Sequence, residues 1–190
     1  MSALAGVLLC GGNGTRMGLA ARTQNKHMLC VFDRPMLCHG LDVLRACGVE
    51  DVLIVVGDKS AGDVMRFVGS GAEFGIRATF AYQDGAGGIA AALALAEGHA
   101  RGRRILAVLG DNAVENPGEV ADGARSYAAQ PHGAMVFLAR VPDPERFGCP
   151  TFTREGQIAV VVEKPAKAPS PFVVVGIYLF DGRAWGIIGQ

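Results

Sequence analysis

The stretch that decides the fold is an apolar run followed directly by glycines, Leu4-Ala5-Gly6-Val7-Leu8-Leu9-Cys10-Gly11-Gly12-Asn13-Gly14-Thr15-Arg16. The apolar run predicts a buried strand, and the glycines predict a loop at its carboxyl end. Glycine adopts positive φ and lets backbone N–H groups approach a ligand closely. Thr15 adds a hydroxyl donor, Arg16 a forked cation and Lys26 a mobile one. The pattern therefore indicates an anion site, with a polyphosphate as the expected ligand.

Two common phosphate-binding loops do not fit this stretch. The dinucleotide fingerprint Gly-x-Gly-x-x-Gly fails because Met17 stands where the third glycine is required and Gly18 comes one place late. The P-loop requires Gly-Lys-Ser/Thr after four spacer residues, and the chain contains no such run. For the loop taken alone, a strand-ending turn with a solvated arginine remains the alternative interpretation.

The composition is that of a globular protein. The chain has 190 residues, of which 50% are hydrophobic and 19% are charged, enough for one α/β domain with a core. Eighteen basic and eighteen acidic residues give zero net charge. The chain has no run of lysines or arginines, so we expect neither nucleic acid nor an anionic membrane as a partner. The longest apolar run, around Ile89 to Ala96, is too short to span a bilayer.

The cysteines and histidines do not form a metal or disulfide pattern. Five cysteines are widely spaced, odd in number and without a Cys-x-x-Cys pair. We therefore expect reduced thiols in a cytoplasmic protein rather than a disulfide framework or a zinc site. The N-terminus lacks a basic region and its apolar residues run straight into the glycine loop, so we interpret it as a core strand rather than a signal peptide. Of the histidines, only His27 lies inside a motif, and a structural hydrogen-bonding role is expected for it.

Strands and helices are predicted to alternate along most of the chain. Helical periodicity covers Pro35 to Cys47, and continuous apolar runs predict buried strands. The further predicted strands are Asp51–Val56, Ile76–Tyr82, Ile105–Leu109 and Ala134–Ala139, and the further helices are Ala61–Val68, Ile89–Ala100 and Glu119–Ala129.

This alternation predicts a Rossmann-like α/β fold, a mostly parallel sheet flanked by helices on both faces. After Arg140 the pattern changes to a hairpin, Thr151–Thr153 with Gln157–Glu163, and a strand, Phe172–Phe180. We therefore predict one domain, residues 1–190, with a nucleotide-binding core at 1–140 and a small β-rich section at 141–190. Ligands of such sheets bind at the carboxyl ends of the strands, where the Gly11–Arg16 loop, the Tyr82–Gly88 loop and Asp111 are expected.

Gly-Gly-x-Gly-Thr-Arg at positions 11–16, followed by Asn-Lys-His-Met-Leu-x-Val at 25–31, resembles the sugar-1-phosphate nucleotidyltransferases. The resemblance is strongest to glucose-1-phosphate thymidylyltransferases, and its motifs follow in the family's order from Leu4 to about Trp185. Two prolines typical of the family are absent. Gly18 stands where a proline usually follows the arginine, and Cys30 stands where the family usually has Leu-Pro-Val. Because proline fixes φ, both losses are expected to loosen the loop.

On the nucleotide side, the resemblance implies a pyrimidine site. Gln83, four spacers and Gly88-Ile89-Ala90 match the family's base-binding segment, and a glutamine amide can donate and accept at once. Leu109-Gly110-Asp111-Asn112 matches the motif whose aspartate binds Mg²⁺, although an isolated Asp there is often a helix cap. The implied nucleotide-binding residues are Leu9, Gly11, Gly12, Gly14, Thr15, Arg16, Gln83, Gly88 and Asp111.

On the sugar side, Asp143 to Cys149, Glu163-Lys164-Pro165 and Val175 to Tyr178 also match family segments. The resemblance implies that the Gly148 main chain and Glu163 bind sugar hydroxyls, that Lys26 and Lys164 bind the sugar phosphate, and that Tyr178 lines the sugar pocket. A solvated strand end is the alternative interpretation for Glu163 and Lys164.

The implied reaction joins a sugar 1-phosphate to dTTP or UTP, giving an NDP-sugar and pyrophosphate. Arg16, Lys26 and Asp111 are the expected catalytic residues, and Mg²⁺ on Asp111 the cofactor. Family members continue beyond position 190 and carry a second metal-binding aspartate there; in this chain Asp181 is the nearest acidic residue after the last strand. This leaves open a homo-oligomer whose other subunit supplies the carboxylate, and a catalytically weak regulatory module that binds nucleotide and sugar phosphate on the same fold. A nicotinamide-dependent dehydrogenase is disfavoured by the failed fingerprint.

Overall fold

The computed structural model describes residues 4–11, 25–57, 61–85, 87–130 and 132–188. The chain forms two compact units, Met1–Met135 with Tyr178–Gln190 and Val136–Ile177. Four predicted site residues in the glycine-rich loop, Gly12, Gly14, Thr15 and Arg16, lie outside the described residues, so their roles stay predictions.

Strands and helices alternate through the first unit as the sequence pattern predicts. The strands are β1 Leu4–Cys10, β2 Cys30–Val31, β3 Arg34–Pro35, β4 Asp51–Gly57, β5 Arg77–Gln83, β6 Arg104–Leu109, β7 Ala134–Arg140, β8 Gly148–Phe152, β9 Ile158–Glu163 and β10 Phe172–Phe180. The α-helices are α1 Met36–Ala46, α2 Ala61–Val68, α3 Gly88–Ala94, α4 Glu97–Ala100, α5 Pro117–Ala128 and α6 Ala184–Ile188.

The larger sheet has the strand order β5-β4-β1-β6-β10-β7. Strands β5, β4, β1 and β6 are mutually parallel. In the centre, Leu9 pairs with Val55 on one side and with Leu109 on the other. The mostly parallel sheet predicted from the sequence is confirmed.

Helices cover both faces of this sheet, because alternate residues of β1 point to opposite sides. On one side, Val7 and Leu9 belong to a cluster with Ala92 and Leu93 of α3. On the other side, α1 comes so close that a Cβ on Gly40 would lie 2.7 Å from Leu8 Cδ1. The buried strand residues read as a continuous apolar run because both faces are covered.

The second unit is β-rich. Strands β8 and β9 form an antiparallel hairpin in which Gly148 pairs with Glu163 and Thr151 with Val160. The Val141 N–H also donates to the Pro171 carbonyl at 3.1 Å. The predicted section 141–190 differs from this unit, which begins at Val136 and ends at Ile177. The chain returns to the first unit at Tyr178.

Two local features differ from the sequence pattern. The single helix predicted over Ile89–Ala100 is wrong, since it divides into α3 and α4 around Leu95 and Ala96. The Ala96 N–H donates to the Leu93 carbonyl, and Ala96 and Ala100 are both fully buried, so packing rather than local propensity fixes this break. Within the described ranges, no helix is long and apolar enough to cross a bilayer.

Candidate functional site

The four parallel strands bring the predicted nucleotide-side residues to one edge of the sheet. Gly11 follows β1, Gln83 ends β5, and Asp111 comes two residues after β6. Because β1, β4, β5 and β6 run in the same direction, these three residues share the carboxyl edge. Open parallel sheets bind their ligands at this edge.

Gln83 and Gly88 contact each other. Gln83 Nε2 donates to the Gly88 carbonyl at 3.0 Å. Gly88 has φ of 74°, a conformation that side-chain-bearing residues seldom adopt, and it begins α3. On the opposite side, a Cβ on Gly11 would lie 2.7 Å from Gln83 Oε1. Any residue larger than glycine at position 11 would therefore displace the Gln83 amide. Gly11, Gln83 and Gly88 therefore form one contiguous group, and the base-binding role of Gln83 and Gly88 stays a prediction.

Lys26 and Asp111, 85 positions apart in the sequence, form an ion pair through Nζ and Oδ2. The Lys26 side chain is 20% exposed and that of Asp111 is 35% exposed, so water reaches the pair from one side. Partial burial opposes ionisation of Asp111, but the hydrogen bond and the charge of Lys26 outweigh it and hold the pKa of Asp111 below its usual range. In the described state the carboxylate is ionised and has a cation beside it.

Lys26 is carried by a single 3₁₀ turn, Lys26–Met28, whose N-cap is Asn25. Asn25 Oδ1 accepts from the His27 backbone N–H at 2.6 Å and lies 2.7 Å from His27 Nδ1. Because the oxygen already accepts from the backbone, the ring contact is a hydrogen bond from an Nδ1–H, which fixes the tautomer. His27 is 1% exposed, and burial, followed by the charge of Lys26, lowers its pKa to about 4. The imidazole is therefore neutral at physiological pH.

The residues of this edge pack closely around Gly110. A Cβ there would lie 2.6 Å from Cys10 Sγ and 3.0 Å from His27 Cδ2. The Gly110 N–H donates to the Leu9 carbonyl at 2.9 Å, which extends the β1–β6 ladder one step further. Leu9 itself is buried. Burial also raises the pKa of the Cys10 thiol, so this cysteine is un-ionised and contributes packing.

The donor set at Asp111 suits a magnesium ion that arrives with phosphate oxygens. Mg²⁺ prefers carboxylate oxygen, and it is commonly held by one or two carboxylates plus substrate phosphates and water. Among the described residues, no three His, Cys, Asp or Glu side chains converge to form a complete protein-made site. The ionised Asp111 carboxylate, which already attracts a cation, fits this kind of partial coordination.

Asp181 is not available as a second carboxylate. It accepts from the Gly133 N–H at 2.6 Å, from the Arg183 N–H at 2.9 Å and from the Arg183 guanidinium at 2.9 Å. These hydrogen bonds, with that from Arg183 the largest, hold its pKa far below the usual range. Its role in the described structure is to join the end of β10 to the start of β7.

In the second unit, three sugar-side residues lie together at one end of the β8–β9 hairpin. A Cβ on Gly148 would lie 3.3 Å from Glu163 Oε2, so the glycine and the carboxylate are direct neighbours. Lys164 Nζ pairs with Glu163 Oε1 at 3.3 Å, and the Lys164 N–H donates to the Phe147 carbonyl at 3.0 Å. Both charged side chains are more than half exposed, so their sugar-binding role stays a prediction.

Tyr178 lies in a different setting from the one its predicted sugar role suggests. Its ring stacks on Phe180 with centroids 5.9 Å apart. Both rings line a largely apolar cavity of about 670 Å³ in the first unit, together with Ile89, Leu93 and Ile187. A sugar pocket needs hydrogen-bonding groups, and this cavity offers few. The role of Tyr178 in sugar binding remains a prediction.

Local sequence patterns did not reveal the pairing of Lys26 with Asp111 or the buried Asn25–His27 contact. The capping role of Asn25 could have been recognised from the sequence, because an N-cap side chain accepts from the backbone N–H two residues later. The contact of His27 with Gly110 joins segments that are distant in the sequence, and no periodicity within positions 25–31 encodes it.

Comparisons with known proteins find relatives along nearly the whole chain. The sequence profile described as nucleotidyl transferase matches residues 5–188. A glucose-1-phosphate thymidylyltransferase of Neisseria meningitidis is 35% identical over 179 residues, which is 94% of this chain and 62% of that protein. One from Streptomyces griseus is 35% identical over 175 residues, 92% of this chain and 48% of that protein. The chain thus spans about half to three fifths of the length of these curated relatives.

Solved structures show the same fold. A Bacillus anthracis protein assigned as a glucose-1-phosphate thymidylyltransferase, in complex with sucrose, has a TM-score of 0.93 and 37% identity, and the match covers 98% of this chain and 75% of that one. A UDP-glucose pyrophosphorylase with UDP-glucose has a TM-score of 0.77 at 20% identity, covering 98% of this chain and 80% of that one. The second match supports the fold alone.

Proposed function

Because the chain belongs to the nucleotidyl transferase family, we propose that it transfers a nucleotidyl group from dTTP or UTP to a sugar 1-phosphate such as glucose 1-phosphate. The observation that carries the proposal is the sharing of one sheet edge by Gly11, Gln83 and the Lys26–Asp111 pair. Relatives named glucose-1-phosphate thymidylyltransferase support the same substrates.

In the proposed reaction an oxygen of the sugar phosphate attacks the α-phosphorus of the nucleotide. A new P–O bond forms, the bond to the β-phosphate oxygen breaks, and pyrophosphate leaves. Positioning and neutralisation of charge dominate such phosphoryl chemistry. Lys26 supplies a cation for the α-phosphate, and Asp111 would hold Mg²⁺, whose charge stabilises the phosphate oxygens when it is bound.

The remaining residues bind the two substrates. The Gln83 amide and the Gly88 backbone would bind the pyrimidine edge, and Arg16 would bind the departing pyrophosphate. In the second unit, Lys164 would bind the sugar phosphate, and Glu163 with the Gly148 main chain would bind the sugar hydroxyls. The five cysteines, all within the described residues, are free, which supports a cytoplasmic location.

A second candidate is a nucleotide-binding module with little turnover. The observation that favours it is the hydrogen bonding of Asp181 to Gly133 and Arg183, which leaves Asp111 as the carboxylate of the metal site among the described residues. Such a module would bind nucleotide and sugar phosphate without forming product.

The test is a panel of dTTP, UTP, CTP and ATP against several sugar 1-phosphates, followed by pyrophosphate release with Mg²⁺. Product with a pyrimidine nucleotide, abolished by Asp111→Asn and retained by Lys167→Met, is the expected result. Lys167 is exposed and is not one of the predicted site residues, so its replacement by Met is a control for the loss of one positive charge. Calorimetric binding without product would favour the second candidate, and a preference for ATP would contradict the base site.

A further inference from the structure

His27 is the only fully buried polar side chain among the described residues. Burying an imidazole is unfavourable unless its polar atoms are hydrogen-bonded. An aliphatic residue would fill the same space beside Gly110 without that requirement. The presence of a histidine here therefore calls for a reason beyond packing.

The Asn25–His27 contact restrains the turn that carries Lys26. Asn25 Oδ1 receives two hydrogen bonds, from the backbone N–H and from Nδ1 of the same histidine, at 2.6 and 2.7 Å. The Asn25 carbonyl accepts from the Met28 N–H at 2.9 Å, and the Lys26 carbonyl accepts from the Leu29 N–H at 3.2 Å. The turn is thus fixed on both sides of Lys26.

The buried imidazole also fixes this turn relative to the strand ends. His27 Cδ2 lies beside Gly110, the residue before Asp111, so closely that a Cβ on Gly110 would be only 3.0 Å away. Lys26 and Asp111 therefore approach each other from two backbones that are in contact through His27.

We propose that His27, held by Asn25, is a positioning residue that places the Lys26 ammonium group at the Asp111 carboxylate. This inference rests on the proposed function for its effect on turnover, but the placement itself is a property of the protein without substrate. The imidazole acts through Lys26 and does not contact the reacting atoms.

The variants are chosen to separate placement from packing. His27→Asn keeps a donor nitrogen at the position of Nδ1, whereas His27→Leu keeps bulk and removes the donor. Asn25→Ala removes the acceptor from a half-buried position and carries the same test if His27→Leu does not fold. Lys26→Met is the reference variant, because it has no ammonium group for His27 to position.

The first measurement requires no turnover. The chain has four lysines, so reductive methylation with ¹³C-formaldehyde gives a spectrum in which Lys26 is assigned by its loss in Lys26→Met. We expect a Lys26 signal distinct from the exposed lysines in the wild type and in His27→Asn, and its collapse onto theirs in His27→Leu and Asn25→Ala. If the Lys26 signal is unchanged in both His27→Leu and Asn25→Ala, the proposal is overturned.

The second measurement is a double-mutant cycle on pyrophosphate release. His27→Leu should lower kcat about tenfold in the wild-type background, and by less than about twofold when Lys26 is already Met, because interacting residues are non-additive. His27→Asn should restore most of the loss. A loss of the same size in both backgrounds would show that His27 acts only through stability. If the wild type makes no product, the proposed function fails while the lysine spectrum still decides the placement.

Discussion

Replacing Lys26 by Met should strengthen the binding of a divalent cation to the protein without nucleotide. The carboxylate of Asp111 has the Lys26 ammonium group beside it. An incoming metal ion must therefore displace this ammonium group. Methionine has a similar length and no charge. Removal of the competing cation therefore raises the affinity of the remaining carboxylate for the metal, although it removes a positive charge from a phosphate site.

The magnitude follows from the exposure of the pair. Fully exposed ion pairs contribute about 0.2–1 kcal/mol, whereas hydrogen bonds to charged groups contribute about 1.5–3 kcal/mol. With side chains 20% and 35% exposed, the Lys26–Asp111 pair lies between these classes. We take about 1 kcal/mol, which corresponds to roughly a fivefold lower Kd for the metal.

The assay is titration with Mn²⁺, followed by the electron paramagnetic resonance signal of the free ion. Lys26→Met should lower the Mn²⁺ Kd about fivefold, and the exposed control Lys167→Met should leave it unchanged. The double variant Lys26→Met with Asp111→Asn should lose the gain. Affinity for dTTP with Mn²⁺ should instead fall in Lys26→Met, since the proposed contact of Lys26 with phosphate would be lost. An unchanged or weaker Mn²⁺ affinity in Lys26→Met would refute the competition between lysine and metal.

Three further changes test other parts of the structure. Gly11→Ala places a Cβ 2.7 Å from Gln83 Oε1, so the displaced amide should reduce discrimination between dTTP and CTP in competition calorimetry, while Tm changes little. Arg16→Ala should lower kcat more than it raises the KM for sugar phosphate, because in the proposed reaction its charge would stabilise the departing pyrophosphate; a change in KM alone would contradict this. Asp51 has its pKa lowered chiefly by the hydrogen bond from Arg77, so its stabilising effect is present above the unfolded pKa and is lost as pH falls through the folded one. Asp51→Asn should therefore reduce urea stability by about 1 kcal/mol at pH 7 and by progressively less as the pH falls below the usual range of an aspartate pKa.

The sheet could be predicted from the sequence because its strands are marked locally. Buried parallel strands read as apolar runs, and β1, β4 and β6 each end at a glycine or directly before one. The edge positions of Gln83 and Asp111 followed from the direction of the strands alone. These predictions needed no knowledge of side-chain contacts.

The contacts within the site could not be predicted in the same way. Lys26 reaches Asp111 across 85 positions, and a pattern read over ten or fifteen residues contains no such information. The hairpin of β2 and β3 was missed as well, because its strands have two residues each and Phe32 at its tip adopts φ of 60°. A bulky side chain at positive φ is not a recognised turn signal.

On the proposed function, the Lys26–Asp111 pair would let the described part of the site select a metal together with its nucleotide. Asp111 carries a single negative charge, and Lys26 already balances it. A divalent cation that enters alone displaces the lysine and leaves an excess of positive charge around one carboxylate. A triphosphate brings several negative charges, so the metal can bind Asp111 and phosphate oxygens while the freed ammonium binds phosphate as well. On the proposed function, Lys26 would disfavour the bare ion and favour the metal–nucleotide complex, and the two opposite affinity changes expected for Lys26→Met would express this coupling in one variant.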